Sequence, residues 1–101
     1  MDYKYEQEKG SLTVCMPREL DHHQANMLKV QIDDLLSSSN AQTLIMDFKD
    51  TAFMDSSGIG VILGRYKSMH YRSGKLVAVH LSDQVDKIFK MSGLHKIVEI
   101  L

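Results

Sequence analysis

A chain of 101 residues, 44% of them hydrophobic, holds enough apolar surface for one globular core and too little for two. Lys and Arg number 12 against 13 for Asp and Glu, so the formal charge of −1 gives neither a nucleic-acid backbone nor an anionic membrane surface an electrostatic reason to bind. With Cys15 as the single cysteine there is no intrachain disulfide, and its apolar setting reads as a buried small hydrophobe in a reducing compartment.

The opening residues Met1 to Glu6 lack the apolar core of a signal peptide, and no apolar run approaches the roughly 18 residues of a membrane span, so the expected location is the cytoplasm. Tyr3 and Tyr5, then Leu12, Val14 and Met16, alternate with polar residues around Lys9-Gly10-Ser11, which predicts a hairpin. Pro17 interrupts regular pairing. After Asp21, the steps between Ala25, Leu28, Ile32, Leu35 and Leu36 are those of an amphipathic helix, which ends in Ser37-Ser38-Ser39-Asn40. Leu44 to Phe48 reads as a central strand covered on both faces. Ile59, Ile62, Leu63, Tyr66 and Met69 mark a second helix, closed by Ser73-Gly74. Leu76 to Leu81 reads as a further buried strand. A third helix carrying Val85, Ile88 and Phe89 is capped by Ser82 or Asp83, and a last strand spans 96–101. Helices and strands alternate after the hairpin, so the expected fold is a single-domain α/β sheet with helices packed on it.

The segment Met54-Asp55-Ser56-Ser57-Gly58-Ile59-Gly60 falls between the central strand and the second helix, where backbone N–H groups have no intrahelical partner. Asp and Ser are favoured helix caps and the glycines permit a tight turn, so capping explains the segment without any further role; a cap and an exposed hydroxyl are also compatible. Enzyme readings fail on spacing. A nucleophile elbow requires glycine at Met54, a dinucleotide fingerprint requires its third glycine at Leu63, and the Gly-Lys-Ser/Thr of a P-loop is absent. Glu19-Leu20-Asp21-His22-His23 offers imidazoles and carboxylates, but adjacent histidines on a helix diverge by about 100°, whereas metal-ligand pairs sit three or four residues apart. No metal or cofactor is expected. His70, His80 and His95 stand singly and read as structural or exposed.

Four stretches together go further: Glu19 to His23; Phe53-Met54-Asp55-Ser56-Ser57-Gly58-Ile59-Gly60-Val61-Ile62-Leu63-Gly64-Arg65-Tyr66-Lys67; Val85 to Phe89; and Met91-Ser92-Gly93-Leu94-His95-Lys96-Ile97. In order and spacing they resemble the anti-sigma factor antagonists of the STAS domain family, above all those of sporulating bacteria. The resemblance runs over essentially the whole chain and is weakest in the hairpin and first helix. It departs at Met16-Pro17-Arg18, where relatives usually have a small residue and glycine, and at Leu101, where relatives commonly continue into a terminal helix.

The resemblance implies a STAS fold, a four- to five-stranded mixed sheet flanked by three to four helices. It also implies a binding protein in place of an enzyme, whose partner is an anti-sigma factor that is itself a serine kinase holding ATP or ADP. The serine after the motif aspartate, Ser56, is then the phosphate acceptor; phosphorylation abolishes binding and a serine phosphatase restores it. The partner surface expected on this basis comprises Glu19, Asp21, His22, Met54, Asp55, Ser56, Ser57, Gly58, Ile59 and Arg65, with Met54 and Ile59 supplying apolar contact and Arg65 a charge. Free N–H groups at the second helix start are expected to tolerate the phosphate, so that the switch works by charge and bulk and leaves the fold unchanged. Two other readings are a STAS module of a stress-response sigma pathway or larger signalling assembly, and a nucleotide-binding domain that uses the glycine turn as a phosphate cradle.

Overall fold

The computed structural model describes residues 3–101. Strands β1 (Tyr5–Glu8) and β2 (Ser11–Cys15) form the opening hairpin, with Gly10 at φ 85° taking the left-handed turn position that a Cβ disfavours. After the two-residue strand β3 (Glu19–Leu20) come helix α1 (His22–Ser37), strand β4 (Thr43–Asp47), the two-residue strand β5 (Phe53–Met54), helix α2 (Ser56–Tyr71), strand β6 (Lys75–Val79), helix α3 (Asp83–Ser92), a 3₁₀ turn (Leu94–Lys96) and strand β7 (Glu99–Ile100). The main sheet runs β1-β2-β4-β6-β7, antiparallel only at the hairpin.

Each long helix joins two neighbouring parallel strands, and the strand order never reverses along β2-β4-β6-β7. Because such crossovers share one hand, the helices collect on one face. Register decides what they cover. Leu12, Leu44 and Leu76 stand in one row and Val14, Met46 and Ala78 in the next, and these six join Leu28, Ile32, Ile62, Met69 and Phe89 in a single core. On the opposite face, Thr13 and Ile45 are only half-buried and Val77 of the same row is buried. The central strand is therefore covered fully on one face, not on both, because singly wound crossovers leave the second face without a helical layer.

The helix boundaries have local chemical causes. Asp21 caps α1 by accepting from Gln24 N–H at 2.9 Å, and Ser82 caps α3 by accepting from Val85 N–H at 3.2 Å. At the other end of α1 the Arg72 guanidinium donates to the carbonyls of Leu36, Ser39 and Ala41 at 3.0–3.3 Å, so groups without a helical partner are satisfied from the end of α2. Gly93, at φ 84°, ends α3 and turns the chain into the 3₁₀ segment, which confines the last strand to two residues instead of the expected 96–101.

At the carboxyl ends of β4 and β6, the nearly buried Asp47 carboxylate accepts from His80 Nδ1–H at 2.9 Å and from Lys49 N–H at 3.0 Å. His80 sits at φ 61°, a region that costs a non-glycine residue roughly 1–2 kcal/mol, and this hydrogen bond helps to hold it there. Burial pushes the Asp47 carboxyl up, but the hydrogen bonds from His80 and Lys49 and the charges of both residues outweigh it and hold the group below its ordinary 3.8. A depressed folded-state pKa adds stability that is present above the unfolded value and is lost as pH falls through the folded one. Asp47→Asn should therefore flatten the acid limb of stability against pH, read by urea unfolding between about pH 6 and about pH 2; a limb as steep as the parent's would remove Asp47 from the account.

Candidate functional site

The two polar clusters singled out in the sequence meet at one edge of the fold. Their meeting depends on the parallel pairing of β3 with β5, in which Glu19 faces Phe53 and Leu20 faces Met54. Leu20 and Met54 are buried and anchor the pair. Thr51 Oγ1 donates to Pro17 O at 2.8 Å and Ala52 N–H to Arg18 O at 2.8 Å, so the residues just before both strands are also tied together. Pro17 and Arg18 thus serve as fixed acceptors for the incoming 51–53 segment.

Beyond this pairing the starts of α1 and α2 stand side by side. Asp55 caps α2, its Oδ1 accepting from Ser57 N–H at 2.8 Å and Gly58 N–H at 3.3 Å, while its own N–H donates to Leu20 O at 3.3 Å. His22 Nδ1 lies 3.2 Å from Ser57 Oγ, which joins the two helix starts directly. Ser56, the first residue of α2, is exposed and Ser57 is half-buried. The N–H groups expected to be free for a phosphate are thus partly taken already, since the Asp55 carboxylate occupies two of them.

Gly58 is the one glycine here with a steric reason. A Cβ on it would lie 2.7 Å from Leu20 O and 2.9 Å from Leu20 Cγ, so only glycine lets α2 begin this close to β3. Gly60 and Gly64, one turn apart on the same helix, are different: a Cβ on either would meet nothing within 4 Å and neither has a positive φ. A helical glycine costs roughly 1 kcal/mol relative to alanine, and nothing inside this chain repays it at those two positions.

Of the residues expected at a partner surface, Glu19, His22 and Ser56 are exposed, and Asp21, Asp55, Ser57 and Ile59 are half-buried. Met54, Gly58 and Arg65 are buried. Met54 therefore fills core instead of offering apolar surface, and Arg65 pairs across the helices with Asp33, Nε to Oδ1 at 3.2 Å, with its side chain only 8% exposed. Sequence reasoning did not single out Asn26 and Lys29, which continue the His22 face of α1 and line a groove against Ser57, Gly60 and Gly64 of α2. Their spacing from His22, four and seven residues, carried the signal. Among the described residues no group of three His, Cys, Asp or Glu side chains could hold a metal ion, and no helix is long and apolar enough to cross a membrane.

The family model for the STAS domain matches residues 2–101. The chain belongs to the STAS domain family. It is 36% identical over 100 residues to the anti-sigma F factor antagonist of Paenibacillus polymyxa, covering 99% of this chain and 86% of that protein. It is 30% identical over 95 residues to the anti-sigma-B factor antagonist of Listeria monocytogenes, covering 94% and 82%. Among solved structures, the unphosphorylated anti-sigma factor antagonist SpoIIAA superposes with a TM-score of 0.86 at 28% identity, over 99% of this chain and 88% of that one. The phosphorylated form of the Bacillus SpoIIAA gives 0.77 at 27% identity, over 99% and 91%. The STAS fold expected from the sequence is the observed one, with a five-stranded mixed sheet, a two-stranded ribbon and three α-helices among the described residues.

Gly58→Ala places a methyl group against a backbone carbonyl that cannot rotate away. The gain in helix propensity does not offset that clash, and the variant should lose about 1–2 kcal/mol of unfolding free energy in urea titrations. Equal or greater stability would mean that α2 can begin farther from β3.

Proposed function

We propose that this chain is an anti-sigma factor antagonist working by partner switching. In its unphosphorylated form it binds an anti-sigma factor and thereby releases the sigma factor; phosphate on Ser56 blocks that binding. The observation that carries the reading is the convergence of both polar clusters on one edge, with the exposed Ser56 hydroxyl on the first turn of α2. On this reading the protein has no catalytic step of its own. The partner is an ATP- or ADP-bound serine kinase, a separate serine phosphatase reverses the mark, and all of them work in the cytoplasm.

Charge explains the switch. A phosphate on Ser56 adds about −1.5 to −2 charges next to the Asp55 carboxylate. Because Asp55 already takes the N–H groups of Ser57 and Gly58, the phosphate stays in solvent at the rim of the helix start, where a docking partner would have to strip its water. Docking is opposed while the core is untouched. The docking surface on this reading is Glu19, Asp21, His22, Ser56, Ser57 and Ile59, with Met54, Asp55, Gly58 and Arg65 fixing its shape from beneath.

The sporulation pathway is favoured over a stress-response one by the higher identity to the sigma F antagonist, 36% against 30% for the sigma B antagonist. The nucleotide-binding reading is disfavoured by topology: a strand order without reversal along β2-β4-β6-β7 has no topological switch point of the kind at which such sheets bind nucleotides.

Incubating the chain with the anti-sigma factor of the same organism and ATP, then mapping phosphate by mass spectrometry, tests the acceptor; Ser56 is the expected site, and modification elsewhere alone would falsify the assignment. In calorimetric titrations Ser56→Ala should bind the anti-sigma factor like the parent and resist release by ATP, whereas Ser56→Asp should bind about tenfold or more weakly, equivalent to about 1.4 kcal/mol.

A further inference from the structure

We infer that His22 decides which of two adjacent serines takes the phosphate: by holding the Ser57 hydroxyl against α1 it leaves Ser56 as the acceptor. The inference deepens the partner-switching function proposed above and rests on it. Asp55-Ser56-Ser57-Gly58 offers a kinase two hydroxyls on neighbouring residues, and residue order by itself gives no chemical reason to choose between them.

The structure separates the two serines in three ways. Successive residues of a helix diverge by about 100°, and here Ser56 is exposed while Ser57 is half-buried and lines the groove between the helices together with His22 and Ala25. The Ser57 hydroxyl is also engaged, with His22 Nδ1 3.2 Å from its Oγ. Either the ring N–H donates to the hydroxyl oxygen or the hydroxyl donates to the ring nitrogen, and both arrangements occupy the group that phosphoryl transfer needs free. Finally, the Asp55 carboxylate accepts from Ser57 N–H at 2.8 Å, which ties the residue into the first turn and keeps its hydroxyl from being presented elsewhere.

In the transfer, the serine oxygen attacks the γ-phosphorus of ATP in line with the bond to the bridging oxygen. That bond breaks, ADP leaves, and the hydroxyl proton passes to a base of the kinase. At Ser56 the exposed hydroxyl is open to such an approach. At Ser57 the imidazole and Ala25 stand across the groove where the triphosphate would have to enter. A histidine beside a serine can also activate it as a base, but such a base is itself oriented by a third group. Here Asp21, the neighbouring carboxylate, accepts from Gln24 N–H at 2.9 Å as the cap of α1, and among the described residues no side chain orients the other ring nitrogen of His22. The contact therefore restrains Ser57.

The test incubates the full chain and its variants with the anti-sigma factor of the same organism and ATP, and reads by mass spectrometry the share of phosphate carried by Ser57. Because the share compares two positions in one molecule, weaker docking of the kinase should lower both alike. The parent should carry its phosphate on Ser56, with Ser57 a minor site at most. His22→Ala should raise the Ser57 share about fivefold or more, whereas His22→Asn, which keeps a polar atom near the place of Nδ1, should return it to the parent's level. In a Ser56→Ala background the chain that retains His22 should take up no phosphate, and Ser56→Ala His22→Ala should take it up on Ser57. Thermal unfolding run beside these assays should find every variant folded, since His22 is exposed. An unchanged or lowered Ser57 share in His22→Ala, a failure of His22→Asn to restore the parent's share, or no uptake by Ser56→Ala His22→Ala overturns the inference and leaves Ser56 as the acceptor. Equal modification of both serines in the parent also overturns it. Phosphate on neither serine of the parent removes the partner-switching reading, and the inference falls with it.

Discussion

The close approach of α2 to the backbone of Leu20 governs the whole functional edge. Two strands of two residues each have too few hydrogen bonds to persist alone, and here they persist because Leu20 and Met54 are driven into the core and Gly58 leaves room for the carbonyl between them. From that contact follow the position of Asp55 as cap, the reach of His22 to Ser57 and the outward direction of Ser56. A shift of α2 by even a fraction of an ångström at this point would change all three together. The hydrophobic core thus sets the geometry of a polar surface that contributes little to the core itself.

Much of this architecture could be read directly from residue order. The period of Ala25, Leu28, Ile32 and Leu36, the alternation in the second hairpin strand and the caps at Asp21 and Ser82 depend on neighbours a few residues away, and the structure bears them out, whereas β1 is exposed along its whole length and Tyr5 does not alternate into the core. What escaped were features decided over long sequence distances. The β3–β5 ribbon joins residues more than thirty positions apart, and neither strand is long enough to show a period. The burial of Met54 and Arg65 followed from that pairing and from the packing of α1 on α2, so their apolar and charged surfaces could not be assigned from the motif alone. Ile45 gave the opposite lesson. A nearly all-apolar run, Leu44 to Phe48, looked like a strand buried on both faces, but the singly wound topology leaves that side chain only half-buried.

The site combines stability and control in the same few atoms. Asp55 caps a helix and also stands beside the proposed phosphate acceptor, so on that proposal its charge would serve both the fold and the exclusion of a partner. Gly58 and the pair Gly60 and Gly64 show how one residue type on one helix answers different demands. The first makes room for the chain's own backbone, and the other two keep open a strip of surface that the chain does not use. The sheet beneath supplies rigidity and no topological switch point.

One consequence concerns any enzyme that modifies Ser56. Because the residue opens a helix that is capped by Asp55 and pinned against Leu20, it cannot be drawn out into an extended strand without melting the first turn. Recognition must then be of a folded shape assembled from two distant pieces of chain. A linear peptide covering 53–60 would carry every side chain of the motif and still lack His22, Leu20 and the surface that they complete. On the proposed reading, the information that would mark this serine for modification is conformational, and it exists only as long as the domain is folded.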